Sequence, residues 1–290
     1  MLPDDVHETL ADRVNGTIQE HEPVGGGCIA NAGRLVTSEG PYFLKWAEEE
    51  AGQTFEAEAA GLRALREAGS ALVVPEVLAA QDADGEPGFL LTEWIETGQQ
   101  PRDFWQEFGE ELAALHRPEE ERPYGFEQDN FIGELPQRND DHERWPVFFR
   151  KERLLPQAEM ARERGHWNAD WDDALDKVLA RLDELLPEEP PASTLHGDLW
   201  SGNFMMAANG EPALFDPATY YGHRETDLAM TELFGGFRKS FYEAYRAAWS
   251  LEPGYEDRRA VYNLYHLINH LNHFGRSYAG RVERTLQRFA

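Results

Sequence analysis

The stretch Leu195-His196-Gly197-Asp198-Leu199-Trp200-Ser201-Gly202-Asn203-Phe204 sets an asparagine five residues after an aspartate, and Leu214-Phe215-Asp216-Pro217 adds a second aspartate. Transfer of a phosphoryl group to an alcohol demands little covalent chemistry from a protein. It needs a carboxylate to orient the attacking hydroxyl and accept its proton. It also needs oxygen ligands for a magnesium ion that bridges the phosphates. Asp198 suits the first task, and Asn203 with Asp216 the second. A plain polar loop between two strands does not call for three such side chains at these spacings.

The arrangement matches the catalytic and metal loops of protein kinases, with His-Gly-Asp for His-Arg-Asp and Asp-Pro-Ala for Asp-Phe-Gly. Upstream, Lys45 lies in the apolar run Tyr42-Phe43-Leu44-Lys45-Trp46 and is the only lysine among the first 150 residues. It is expected to reach the inner phosphates of ATP, held by a carboxylate from the following helix. Glu58 is the leading candidate, because it sits mid-helix just before Ala59 and Leu62; Glu56 is the other. Gly25-Gly26-Gly27 falls where a hairpin would cover phosphates, since residues without a β-carbon let backbone N–H groups approach anions. The same triplet also reads as a plain turn. No Gly-Lys-Ser/Thr follows it, which excludes a Walker A loop.

Glu93-Trp94-Ile95 closes the last strand of the first lobe, where linker backbone would meet the adenine edge. Cys28 reads either as a small apolar strand residue or as an exposed redox thiol able to cross-link two chains. His266, His270 and His273 are four and three residues apart. No Glu follows the first as in metalloproteases, and aromatic residues surround them, so packing or substrate contact is expected there rather than zinc.

The elements that must position these groups follow from periodicity and breakers. Residues 1–22 read as a short helix leading into Pro23. Val24–Ile29 and Arg34–Val36 read as strands around a glycine turn, with Tyr42–Trp46 as a third strand. Phe55, Ala59, Leu62 and Leu65 predict a helix over 53–68. Pro75–Leu78 and Phe89–Trp94 predict two further strands with an Asp84-Gly85 turn between them. After Gly98 the pattern turns helical. One stripe runs through Phe104, Phe108, Leu112 and Leu115, a second from Trp171 to Leu186, and a helical tail from about Tyr255. The expected fold is α+β and bilobal. An N-terminal lobe of five antiparallel strands and one helix (1–96) precedes a larger, mainly helical C-terminal lobe (97–290).

The chain has 290 residues, with 27 basic against 54 acidic side chains and a net charge of −27. That field repels nucleic acid and anionic lipid, so neither is an expected partner. Only four of the basic residues are lysine, which suits an acidic surface kept soluble in concentrated salt and predicts a halophilic host, the alternative being an ordinary acidic cytosolic protein. A single cysteine excludes an internal disulfide and fits a reducing compartment. The acidic amino terminus lacks a secretion pattern, and no apolar run is long enough to span a bilayer. These features predict a soluble cytoplasmic protein.

The run from Leu195 to Tyr278 resembles the fructosamine kinases, also called ketosamine-3-kinases. The resemblance rests on His196–Asn203, Asp216-Pro217-Ala218, Tyr221–Glu225, Asp227–Met230, Leu233–Phe237 and His270–Gly275. Tyr124–Phe126, Asn130–Gly133, Gln137, Asn139 and Gly25–Ile29 look like the same family. The resemblance implies an aminoglycoside-phosphotransferase-like kinase fold that uses ATP to phosphorylate the third-carbon hydroxyl of a ketosamine. The unstable ester then sheds the sugar, a deglycation repair. The family's base, metal ligands and lysine fall on Asp198, Asn203, Asp216 and Lys45, and its phosphate-loop cysteine on Cys28. Trp200 is then an apolar wall for the substrate or a core residue, and His223 and Glu225 touch substrate or pin the metal loop. Asp227 is structural by analogy with related kinases. The alternative within the same fold is an aminoglycoside, choline or other small-alcohol phosphotransferase. A nucleotide-binding regulator without catalysis is disfavoured because base, lysine and both metal ligands are present. The partner expected is a small-molecule or protein-bound ketosamine, with the protein a monomer or a redox-linked dimer.

Overall fold

A computed structural model describes residues 2–24, 31–47, 55–83, 86–118 and 120–289. The N-terminal part runs α1 (Asp4–Ala11), β1 (Ile18–Pro23), β2 (Asn31–Thr37), β3 (Gly40–Ala47), α2 (Phe55–Glu67), β4 (Val77–Gln81) and β5 (Gly88–Glu93). The five strands form one sheet in the order β1-β2-β3-β5-β4, every pairing antiparallel.

Side-chain alternation splits this sheet between two partners. Leu44, Trp46, Phe89 and Leu91 pack with Leu2, Val6 and Leu10 of the α1 region. Ala47 and Leu90 face the other way, onto Phe55, Ala59, Leu62 and Leu65 of α2. Lys45 lies between Leu44 and Trp46 and pairs with Leu90, so the pleat itself turns it toward α2.

One expectation fails at the amino terminus. The helix stops at Ala11, and Ile18–Pro23 is a strand where the helix was expected to continue. Strand β1 is an edge whose residues are all at least partly exposed, so its Ile-Gln-Glu-His-Glu-Pro sequence carries no apolar alternation to betray it. Val24 lies outside any strand; Gly25, Gly26, Gly27, Cys28 and Ile29, and the Asp84-Gly85 turn, lie outside the described residues.

The remainder begins with α3 (Phe104–Leu115), the hairpin β6 (Asn130–Ile132) and β7 (Leu135–Gln137), and α4 (Trp145–Phe148). A π-helical stretch at Phe149–Leu154 joins α4 to α5 (Leu155–Glu163). The stripe expected from Trp171 to Leu186 is broken into α6 (Asp172–Ala180) and α7 (Leu182–Leu185), because Arg181 leaves helical geometry at φ −101°, ψ 3°. Four short strands follow: β8 (Ala192–Leu195), β9 (Phe204–Met206), β10 (Pro212–Leu214) and β11 (Tyr220–His223). Helices α8 (Glu225–Leu233), α9 (Lys239–Ala248), α10 (Tyr255–Phe274) and α11 (Ala279–Phe289) complete the chain.

Helix α10 is the axis of the larger core. Its Val261, Tyr262, Leu264, Tyr265 and Ile268 meet Trp145, Phe148, Phe149 and Leu175. A second aromatic cluster lies between α3 and α9, where Phe108 packs on Phe204 at 5.1 Å and on Phe241 at 5.2 Å. It anchors the first residue of β9 and with it the end of the loop that carries Asp198. The two halves are stitched through Val73, whose N–H donates to Pro212 O (2.9 Å) and whose carbonyl accepts from Leu214 N–H (2.8 Å). Gly98 N–H likewise donates to Met206 O at 2.9 Å.

Candidate active site

Two antiparallel pairs bring the sequence motifs together. Strand β8 pairs with β11, and β9 with β10. The loop carrying Asp198 leaves β8 and enters β9, while Asp216 sits between β10 and β11. Cross-bonds between the two segments fix their spacing: Ala218 N–H to His196 O (2.8 Å) and Phe215 N–H to Asn203 O (3.2 Å). Asn203 is the tie. Its Nδ2 donates to Asp198 O (2.9 Å), Asp198 Oδ2 (3.1 Å) and Asp216 O (3.3 Å).

Asp198 lies half-buried at this junction. Burial pushes its carboxyl up to about 7, opposed by the hydrogen bond from Asn203 and aided by the charges of Asp216 and Asp227. Such a value suits a proton acceptor working near neutrality. Asp216 has φ 54°, the only described non-glycine residue with positive φ. A residue held in that region at a cleft marks a position fixed by its surroundings.

Lys45 joins the small-lobe sheet to this loop. Its Nζ donates to Glu58 Oε1 and to Asp216 Oδ1, both at 2.6 Å. Burial alone would depress the ammonium, but Glu58 and Asp216 outweigh it and hold Lys45 above the ordinary lysine value. Glu58 is raised by its own burial, against the pull of Lys45. The geometry therefore decides between the two glutamates. Glu58 faces Lys45, whereas Glu56 is exposed.

The loop is held from behind by Asp227, which is 1% exposed. Its carboxylate accepts from His196 N–H (2.7 Å), Gly197 N–H (2.9 Å) and His116 Nε2–H (3.2 Å). Burial keeps His116 neutral, so its Nδ1 accepts from Tyr245 O–H at 2.8 Å. Gly197 has φ 81°, and a β-carbon there would lie 2.0 Å from Ala218 O, so only glycine fits. His196 completes the turn by accepting Asp198 N–H on Nδ1 (3.3 Å) and donating from Nε2 to Phe215 O (3.0 Å).

The segment after Asp216 is also held by polar side chains. Asn130 Nδ2 donates to Thr219 O (2.7 Å) and Gln137 Nε2 to Ala218 O (3.0 Å). Tyr265 O–H donates to Gln137 Oε1 at 2.6 Å. Arg153, fully buried on the π-helical stretch, donates to Asn139 Oδ1 at 2.8 Å and stacks 3.9 Å over the Tyr220 ring. Sequence reasoning gave Asn130, Gln137 and Asn139 no role beyond a resemblance and missed His116, Arg153 and Tyr265. Isolated polar residues buried among apolar ones leave no periodic signal.

Trp200 is 40% exposed and leans over Gly202, which leaves it available as a wall beside Asp198. His223 and Glu225 do not line the cleft. His223 is buried with Nδ1 on Tyr262 O–H (2.7 Å), and Glu225 is fully buried in a two-bond pair with Arg258 at 2.6 and 2.9 Å. Both side chains are committed to partners inside the fold, which leaves neither free to touch substrate. Glu93 is exposed, and Trp94 and Ile95 are partly exposed, at the end of β5. His270 and His273 bond the carbonyls of His266 and Ile132, and among the described residues no three His, Cys, Asp or Glu side chains form a metal cluster. No described helix is long and apolar enough to cross a membrane.

Magnesium takes oxygen ligands, commonly one or two carboxylates completed by phosphates and water. Asn203 spends its amide N–H groups on the loop, which leaves Oδ1 as an acceptor, and the Asp216 side chain is 43% exposed. These residues fit such an ion.

A five-stranded antiparallel sheet packed between two helices beside a mainly helical lobe, with these loops at the junction, is a kinase-like fold, shared with the aminoglycoside phosphotransferase APH(4)-Ia at a TM-score of 0.65 and 15% identity. The fructosamine kinase family model matches residues 4–290, and the chain belongs to that family. It is 41% identical to the "Probable ketoamine kinase" of Synechocystis sp. over 288 residues, covering 97% of this chain and 95% of the relative. Identity to the chloroplastic protein-ribulosamine 3-kinase of Arabidopsis thaliana is 37% over 282 residues, covering 96% and 85%. A crystal structure from Thermobifida fusca, assigned as a fructosamine-3-kinase, superposes with a TM-score of 0.86 at 30% identity and covers 97% of each chain.

Proposed function

We propose that this chain transfers the terminal phosphoryl group of ATP to the third-carbon hydroxyl of a ketosamine, a ribulosamine or fructosamine, with the lobes dividing near residue 96. The observation that carries the reading is the continuous chain Glu58–Lys45–Asp216, closed onto Asp198 through Asn203. The names of the relatives support the ketosamine as acceptor.

In this reading Asp198 orients the substrate hydroxyl and takes its proton as the oxygen attacks phosphorus. Lys45 leaves its ion pair with Asp216 to meet the phosphates, while Glu58 keeps it in place. Asn203 and Asp216 hold magnesium, which supplies positive charge to the phosphate oxygens. Backbone groups of Glu93–Ile95 meet the adenine edge, and Trp200 provides an apolar wall for the sugar or its carried amine. The acidic, lysine-poor composition supports a salt-accumulating host, and the single cysteine supports a reducing compartment such as the cytoplasm.

The test is ADP release in high KCl with ribulosamines, fructosamines, aminoglycosides and choline, for the native protein and Asp198→Asn. Turnover of ketosamines that falls by about 10²–10⁴-fold in the variant is expected. Turnover of choline or an aminoglycoside alone would end the ketosamine reading and leave the kinase fold standing.

A further inference from the structure

Helix α2 presents two faces of different size. Phe55, Ala59, Leu62 and Leu65 join the core cluster that holds Leu90 together with Leu112, Leu199 and Leu228, while Ala60 and Ala64 pack against the separate cluster built around α10. Gly61 lies on that second side, buried against the residues that follow Asp216. A β-carbon at Gly61 would stand 2.9 Å from Thr219 Oγ1, 3.2 Å from Thr219 Cβ and 3.5 Å from Pro217 Cγ. Glycine inside a helix is a poor choice unless something needs the space.

Thr219 has no room to retreat. Asn130 holds its carbonyl at 2.7 Å, and Gln137 holds the carbonyl of Ala218 at 3.0 Å. Its own Oγ1 is buried with no hydrogen-bond partner among the described residues, and it gives α2 a surface to rest on. Gly61 follows Glu58 by one helical turn, and residues three apart are neighbours on a helix. The depth to which α2 settles on Thr219 therefore fixes where Glu58 stands relative to Lys45 and Asp216.

We propose that Gly61 is a positioning residue, seating α2 directly on the Pro217–Thr219 segment so that Glu58 meets Lys45 in register with the metal loop. The inference rests on the kinase reading only in that Lys45 serves the nucleotide; it does not depend on the acceptor. The experiment therefore measures the affinity for magnesium–ATP without acceptor, in the full chain, for Gly61→Ala, Glu58→Gln and the double variant. A β-carbon that lifts the helix by a fraction of an ångström is expected to weaken ATP binding about tenfold in the native background. In the Glu58→Gln background the same change should cost far less, because the residue it acts through is already lost. An unchanged affinity in Gly61→Ala, or an equal loss in both backgrounds, would overturn the proposal. Should Gly61→Ala alone not fold, the comparison moves to Gly61→Ala with Thr219→Ala against Thr219→Ala alone. The 3.2 Å approach to the β-carbon of residue 219 persists there, so weaker ATP binding supports the proposal and equal binding overturns it. Absence of ketosamine turnover with ATP binding intact would count against the acceptor and leave this test untouched.

Discussion

Replacing Asp227 by asparagine removes one charge and changes no volume. In the native protein Oδ1 accepts from Gly197 N–H, while Oδ2 accepts from His196 N–H and His116 Nε2–H. An asparagine oriented to keep two of these bonds must point its NH₂ at the third donor. One charge-assisted bond worth about 1.5–3 kcal/mol is then lost, and the remaining two fall to neutral strength. The sum is roughly 3.5–6 kcal/mol, a large share of the roughly 5–15 kcal/mol that keeps a domain folded. At about 2–4 °C per kcal/mol for a protein of this size, the melting temperature should drop by roughly 7–24 °C. Loss of the Gly197 anchor also loosens the turn that aims Asp198, so kcat should fall more than the affinity for ATP. Thermal denaturation at neutral pH, run beside Asp257→Asn, makes the comparison. Asp257 is an exposed partner of Arg288, and its change should stay within about 0.5 kcal/mol. Equal melting temperatures for the two variants would refute the view that Asp227 holds the loop.

Lys45→Met removes the cation shared by Glu58 and Asp216 and leaves the two carboxylates without it. ATP should no longer raise the melting temperature, and ADP release should fall by about 10²-fold or more; a preserved thermal shift would argue against Lys45 as phosphate ligand. His266 is buried and desolvation lowers it to about 3, against about 6.5 in the unfolded chain. The unfolded state therefore takes up a proton first as pH falls, so stability is unaffected above pH 6.5 and is lost below it. The loss amounts to about 1.4 kcal/mol per unit, or about 3 kcal/mol near pH 4.5. Unfolding of His266→Gln measured between pH 7 and 4.5 should show a correspondingly flatter decline; an identical decline would exclude His266 as a source. With a net charge of −27, urea unfolding midpoints should rise as KCl increases from dilute to molar, through screening of self-repulsion. A midpoint indifferent to salt would remove the halophilic reading.

Asp198, Asn203 and Asp216 were legible because local chain geometry almost dictates their proximity. Two short strand pairs bracket them, and the spacing in sequence becomes the spacing in space. Lys45 was legible for a related reason, since a lone lysine among apolar strand residues must find a partner. The sheet and helix of the first lobe followed from their periods, except for β1, whose exposed edge carries polar side chains at four consecutive positions, Gln19 to Glu22.

What the sequence determined by itself is thus the local chemistry: which side chains could hold a proton, a phosphate or a cation, and the two-part fold that presents them. Only tertiary packing chose Glu58 over Glu56, because the choice depends on which face of α2 meets a strand and a loop distant in the chain. It also buried His223 and Glu225 away from the cleft and recruited His116, Asn130, Gln137 and Arg153 to brace the loops. The physical reason is the same in each case. A polar side chain taken out of water must find its partner wherever the fold places one, and that location has no period along the chain.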